Sequence, residues 1–100
     1  MKIDIKNLRG EKPRNPWDIV IDRRSVFGNP FYMRNEAERD EVCDKHKELI
    51  MGNLETFIGD FLILYELYHK YGQLNLFCWC APKRCHGETI REILLALKKV

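Results

Sequence analysis

The chain has 100 residues, 45% hydrophobic and 32% charged, with a formal net charge of +2 at pH 7. One domain with one core suits that length, and the composition is that of a folded chain rather than a disordered one. The small charge gives no basis for a nucleic-acid binder, no apolar run approaches the ~18 residues of a membrane span, and Met1–Lys6 has no apolar signal core. A cytoplasmic protein with reduced thiols is therefore expected. In that setting clustered cysteines point to metal or reactivity rather than to disulfides.

Lys2–Lys6 alternates polar and apolar, with Ile3 and Ile5 on one side, and predicts a half-buried strand. Arg9–Pro16, rich in Gly, Pro and Asn, reads as a loop. Trp17–Asp22 is apolar and β-branched and predicts a second, more central strand. The short connection favours pairing the two as a wide hairpin, because a parallel neighbour normally needs a longer crossover. Arg23–Phe31 contains Gly28-Asn29-Pro30 and reads on composition as a surface turn, with Phe27 and Phe31 tucked inward. Asn29, preceding proline, is biased toward extended backbone.

A first helix is predicted from Asn35 to about Met51. Asn35 and Glu38 have capping-box spacing, and Val42, Leu49 and Ile50 form a sparse apolar face. Cys43 and His46 lie one turn apart and can share a ligand, although a buried thiol beside a partly exposed imidazole is the plainer reading. Gly52-Asn53 breaks the helix. A second helix, Leu54–Tyr71, carries a wide apolar and aromatic stripe, and Gly72 suits its C-cap. Leu74–Cys80 is the third strand. A final helix starts at Gly87 or Glu88 and runs to Lys99, with Ile90, Ile93, Leu94 and Leu97 inward and Arg91, Glu92, Lys98 and Lys99 solvated. The order β-β-α-α-β-α predicts an α/β fold: a single small domain over residues 1–100, with a short mixed sheet packed by helices.

Three of the four cysteines fall in Cys78-Trp79-Cys80-Ala81-Pro82-Lys83-Arg84-Cys85-His86-Gly87-Glu88. Strand period places Cys78 and Cys80 on one side, with Cys85-His86 at the last helix's N-terminus. Three chemistries are open there. The first is an anionic small molecule held by the loop backbone, Lys83 or Arg84, and His86, using the free N–H groups and positive field of the helix start. The second is zinc on Cys78, Cys80, Cys85 and His86; the ligand types suit zinc, while the spacing departs from paired Cys-x-x-Cys. The third is cysteine catalysis, with Cys85 activated by the helix and His86 or Glu88 handling protons. Against all three stands plain packing of small buried thiols.

Arg23-x-Ser25-x-x-Gly28-Asn29-Pro30-Phe31 and Cys78-Trp79-Cys80-Ala81-Pro82-x-x-Cys85-His86-Gly87 together resemble a widespread family of small bacterial, archaeal and phage proteins catalogued as a domain of unknown function. The resemblance covers nearly the whole chain. It departs at Glu88, where the family often has Asp, and at Asp22, where it typically has Gly. It implies that the two loops meet in one pocket. Arg23 would hold a phosphate or carboxylate, Asn29 would read a base or ribose edge, and Ser25, Gly28 and Gly87 would join them in binding the ligand. The family's frequency in phages suggests nucleotide metabolism or the countering of host signals, in the host cytoplasm where the gene is a phage's. The leading expectation is a pocket that binds or processes a nucleotide-like or phosphorylated compound. The alternatives are a zinc-stabilised module, and an interaction domain that dimerises or grips a protein through the Leu54–Tyr71 helix.

Overall fold

The sheet is organised around a strand that comes late in the chain. In the computed structural model, which describes residues 2–81 and 83–97, strand β3 (Gln73–Cys78) lies between β1 (Lys2–Asn7) and β2 (Asp18–Val20). Both neighbours run parallel to it, with Ile3 opposite Leu74 and Ile19 opposite Leu76. Helices α1 (Arg39–Gly52), α2 (Leu54–Tyr71) and α3 (Gly87–Ala96) complete the fold, and a 3₁₀ turn at Glu36–Glu38 leads into α1. The order is β-β-α-α-β-α and the class α/β, as expected.

The sheet is parallel throughout, so β1 and β2 form no hairpin: β3 separates them. The short connection suffices because β2 is short. Asn7 ends β1 level with Cys78, and Asp18 opens β2 level with Asn75, so residues 8–17 descend only from the one level to the other. They do so against the Asn75 side of the sheet. The Asn75 amide donates to Asp18 Oδ1 at 2.8 Å, its backbone N–H donates to the Trp17 carbonyl at 2.9 Å, and Trp17 packs on Tyr71.

Pleat alternation sends Leu74, Leu76 and Cys78 to one face of β3. There they join Phe61, Leu64, Tyr65 and Tyr68 of α2 and Ile90, Ile93 and Leu94 of α3 in the core. Phe77, on the other face, is buried as well. Burial on both faces accounts for the apolar end of β3, Leu76-Phe77-Cys78, while its first half alternates with half-buried Gln73 and Asn75. The strand stops at Cys78, so Trp79 and Cys80 belong to the following loop and not to the strand face expected for them. Gly72, with φ 71°, ends α2 in the left-handed conformation that glycine adopts without strain.

Two ends differ in detail. At α1 the Asn35 side chain makes no cap; Glu38 instead reaches back to the Arg34 N–H at 2.8 Å. At α3 the helix closes at Ala96, and the expected tail of Lys98 and Lys99 lies outside the described residues. Among the described residues no helix is long and apolar enough to cross a membrane.

Leu76 is fully buried at the sheet centre, whereas Leu62 on α2 is 47% exposed. Leu76→Ala is expected to cost ~2–5 kcal/mol in urea unfolding, and Leu62→Ala within ~0.5 kcal/mol.

Candidate functional site

Parallel strands leave a crevice beyond their carboxyl ends. Here the chain leaving β2 at Ile21-Asp22 and the chain leaving β3 at Trp79-Cys80 open such a crevice, and α1 closes its far side. The result is a cleft of about 490 Å³ walled by Asp22, Arg23, Arg24, Asn29, Phe31, Tyr32, Met33, Arg39, Val42, Cys43, Trp79, Cys80, Cys85 and His86. The end of β1 contributes from behind, where the Asn7 amide donates to the carbonyls of Trp79 and Ala81 at 3.3 and 2.6 Å.

The loop from Arg23 to Phe31 is built for shape. Ser25 faces its own turn: its hydroxyl donates to the Asp22 carbonyl at 3.0 Å and accepts from the Phe27 N–H at 3.2 Å. Gly28 packs so tightly on that turn that a Cβ would lie 2.4 Å from the Asp22 oxygen. Asn29 lines the cleft, but its amide donates to the Val42 carbonyl of α1 at 3.0 Å and its oxygen accepts from the Phe31 N–H at 2.9 Å. These bonds tie the loop to α1 and occupy the groups that were expected to read a ligand edge.

The second loop also departs from expectation. Arg84 is held between Asp40 at 2.8 Å and Asp44 at 2.7 Å on α1, and Lys83 faces Glu36 at 3.3 Å. Neither lines the cleft, because carboxylates of α1 and of the 3₁₀ turn before it draw both outward. Glu88 turns back to the Cys85 N–H at 3.2 Å and serves as a helix cap. The first N–H groups of α3 are taken too: Gly87 donates to Cys85 Sγ, Glu88 to the Cys85 carbonyl, and Thr89 and Ile90 to the His86 carbonyl. The helix start therefore offers the cleft no free donors of the kind the sequence suggested. Gly87 itself sits where a Cβ would meet Ile21 Cδ1 at 3.0 Å, which keeps α3 close to the sheet.

His86 is buried, and its Nε2 is hydrogen-bonded to the Ile21 carbonyl. Its ring meets that of His46 edge-on at 5.2 Å, and His46 Nε2 bonds the Phe27 carbonyl at 3.1 Å. Each Nε2 thus carries the proton and donates to a carbonyl of the loop after β2. Among the described residues, His46 Nδ1 is the one buried side-chain nitrogen or oxygen without a partner. Burial, reinforced by the neighbouring His86, pushes His46 down to about 4, and burial lowers His86 also.

The thiols divide into two groups. Cys78 and Cys85 are buried with their sulfurs 3.1 Å apart. Either sulfur can be the donor of this hydrogen bond; the bond lowers Cys78, and the bond and burial raise Cys85. Cys80, partly exposed, lies beside the Arg39 guanidinium. Cys43 lies 3.9 Å from the Arg84 carbonyl, and burial raises it. Cys78, Cys80, Cys85 and His86 do not converge as a zinc set. Among the described residues no group of three or more His, Cys, Asp or Glu side chains is placed to hold a metal ion.

Charge in the cleft comes from Arg23, expected there from the sequence, and from Arg24, Arg39 and Asp22, to which the sequence reading gave no role. Arg39 pairs with Glu36 through two contacts of 2.7 and 2.8 Å, and Arg24 grips Asp22 in the same two-pronged way. Trp79 adds an indole N–H to Asp22 at 3.2 Å. Arg23 differs: its guanidinium lies 4.0 Å over the Tyr32 ring and donates to the Phe31 carbonyl at 3.4 Å, with no carboxylate on it among the described residues. A signal for α1 was present, since Arg39, Val42, Cys43, His46 and Ile50 recur at helical spacing and form one stripe toward the cleft and core.

A family model described as a domain of unknown function (DUF4326) matches residues 4–96. The chain belongs to this family. The match takes in β1 from residue 4 onward, the other two strands, all three helices and both loops of the cleft. No curated protein and no solved structure matches the chain.

Stability is expected to fall with acid before the carboxylates titrate. Unfolded His46 takes a proton near its ordinary 6.5, whereas the folded residue resists until about 4. The unfolded state therefore binds more protons as pH drops through that window, and ~3 kcal/mol is lost between pH 6.5 and 4 from this residue alone. His46→Gln keeps a donor toward the Phe27 carbonyl without titrating, and should flatten the slope of unfolding free energy against pH. Gly28→Ala should lower stability by ~1–3 kcal/mol, read by thermal unfolding, because the new methyl meets backbone.

Proposed function

We propose that the cleft binds a small planar anion of the nucleotide type, with the ring on the aromatic wall of Trp79, Phe31 and Tyr32 and the phosphate on Arg23. The observation that carries this reading is the state of Arg23. It is a cleft cation whose charge no carboxylate meets among the described residues, held in place by stacking on Tyr32. Arginine presents a rigid fork that matches a phosphate, and such contacts exceed neutral hydrogen bonds in strength. Arg24 and Arg39 stand on the same wall but already face Asp22 and Glu36, so they raise the local potential without being the first to engage a ligand.

The rest of the lining agrees with this chemistry. The volume of about 490 Å³ falls within the ~300–1,000 Å³ of small-molecule sites, and the wall is mainly apolar with a few fixed polar groups. Trp79 is half exposed, with its edge fixed by Asp22, which suits a stacking surface. Cys85, His86 and Glu88 are engaged in holding the fold, and the reading is of a binding protein. It works in a reducing cytoplasm, where nucleotides are abundant and thiols persist.

Calorimetric titration of the reduced chain with nucleoside monophosphates, the matching nucleosides and inorganic phosphate tests this. At least one monophosphate should bind more tightly than both its nucleoside and phosphate alone. Arg23→Ala should weaken it by about tenfold or more, and Trp79→Ala should weaken the nucleoside as well. If no monophosphate binds at millimolar concentration, or if Arg23→Ala binds as well as the parent, the proposal fails.

A further inference from the structure

The geometry points to Cys78 and Cys85 as a redox-active dithiol that a small hydroperoxide, entering by the cleft, converts to a disulfide. The two sulfurs stand 3.1 Å apart, in hydrogen-bond contact, and bond formation at ~2.05 Å needs them to close by only about an ångström. Both are anchored. Cys78 ends β3, opposite Asn7 of β1, and Cys85 precedes α3, whose start is pressed onto Ile21 and Ile5 at Gly87. The other two thiols point elsewhere: Cys80 meets the Arg39 guanidinium, and Cys43 the Arg84 carbonyl.

Access sets the order of events and the class of oxidant. Cys85 lines the cleft but is only 3% exposed, and Cys78 is fully buried and absent from the lining. A bulky disulfide has no room to reach Cys85, whereas hydrogen peroxide does. In the first step Cys85 sulfur attacks one peroxide oxygen. The O–O bond breaks, the departing oxygen takes up the thiol proton and leaves as water, and Cys85 becomes a sulfenic acid. In the second step Cys78 sulfur attacks Cys85 sulfur. The S–S bond forms, the S–O bond breaks, and the hydroxide released combines with the Cys78 proton as a second water. Two thiols lose two electrons and two protons, and one peroxide becomes two waters. An external dithiol reverses the change by thiol–disulfide exchange. The bond would close the loop 78–85, which carries Trp79 and Cys80 on the cleft wall.

The fully reduced chain is treated with hydrogen peroxide, its remaining thiols are alkylated, and it is digested with trypsin without reduction. Lys83 and Arg84 lie between the two cysteines, so cleavage leaves their peptides joined only by the new bond. Cys80 shares a tryptic peptide with Cys78, and Cys80→Ser removes that ambiguity. The expected result is a cross-linked Cys78–Cys85 pair in the parent and in Cys80→Ser, a loss of two hydrogens in the intact mass, and reversal by dithiothreitol. Cys78→Ala should retain oxygen on Cys85. If that variant does not fold, the parent and Cys80→Ser digests decide alone. Added oxygen on Cys80 or Cys85 of the parent with Cys78 still free, or a cross-link to Cys43 instead, overturns the inference.

Discussion

Two buried imidazoles hold the site together. His46 on α1 and His86 at the start of α3 pack edge-on, and each bonds a carbonyl of the loop that follows β2, at Phe27 and Ile21. Through these contacts one loop is fixed to two helices from two directions. A buried carbonyl without a donor costs about 1–3 kcal/mol, so the loop keeps its path only while both rings stay in place. Gly28 permits the tight turn that presents the Phe27 carbonyl, and Asn29 secures the next residues to α1. The cleft is thus a consequence of how that loop is held.

Electrostatics then sorts the cations around it. Glu36 in the 3₁₀ turn and Asp40 and Asp44 on the outer face of α1 pull Lys83 and Arg84 of the cysteine loop outward. The same glutamate meets Arg39, and Asp22 meets Arg24. Exposed pairs of this kind contribute little to stability, and their effect here is one of position. They leave Arg23 as the cleft guanidinium whose charge no carboxylate opposes among the described residues, and set it against an aromatic ring.

Much of the fold was legible in the sequence, because periodicity reports burial and burial made the elements. The stripe of Leu54–Tyr71 and the glycine after it give α2 to the residue, and the apolar run from Leu74 gives β3. Strand pairing was not legible: a connection as short as residues 8–17 argues for a hairpin unless one knows that β2 is three residues long. At the site, the cysteine loop and the Arg23–Phe31 loop were recognisable as sequence units, and both line the cleft. Individual roles were harder to read, because they depend on partners distant in the chain. Arg84 looks like an anion ligand until Asp40 and Asp44 are placed beside it, and Asn29 looks free until Val42 is. Arg39 and Tyr32 were not legible because neither sits within the cysteine loop or the Arg23–Phe31 loop, although α1's stripe held the hint for the first.

The position of β3 within the chain bears on how the molecule is made. Lys2 pairs with Gln73 and Asp18 with Asn75, so every bond of the sheet joins residues more than half the chain apart. The first two strands have no partner in each other. On the ribosome they emerge and wait as unpaired backbone, while α1 and α2 assemble from local contacts behind them. The sheet closes only when residues 73–78 arrive to fill the gap, and such long-range pairing is slow relative to helix formation. The cleft, whose walls follow β2 and β3, can take shape only once that strand is in place.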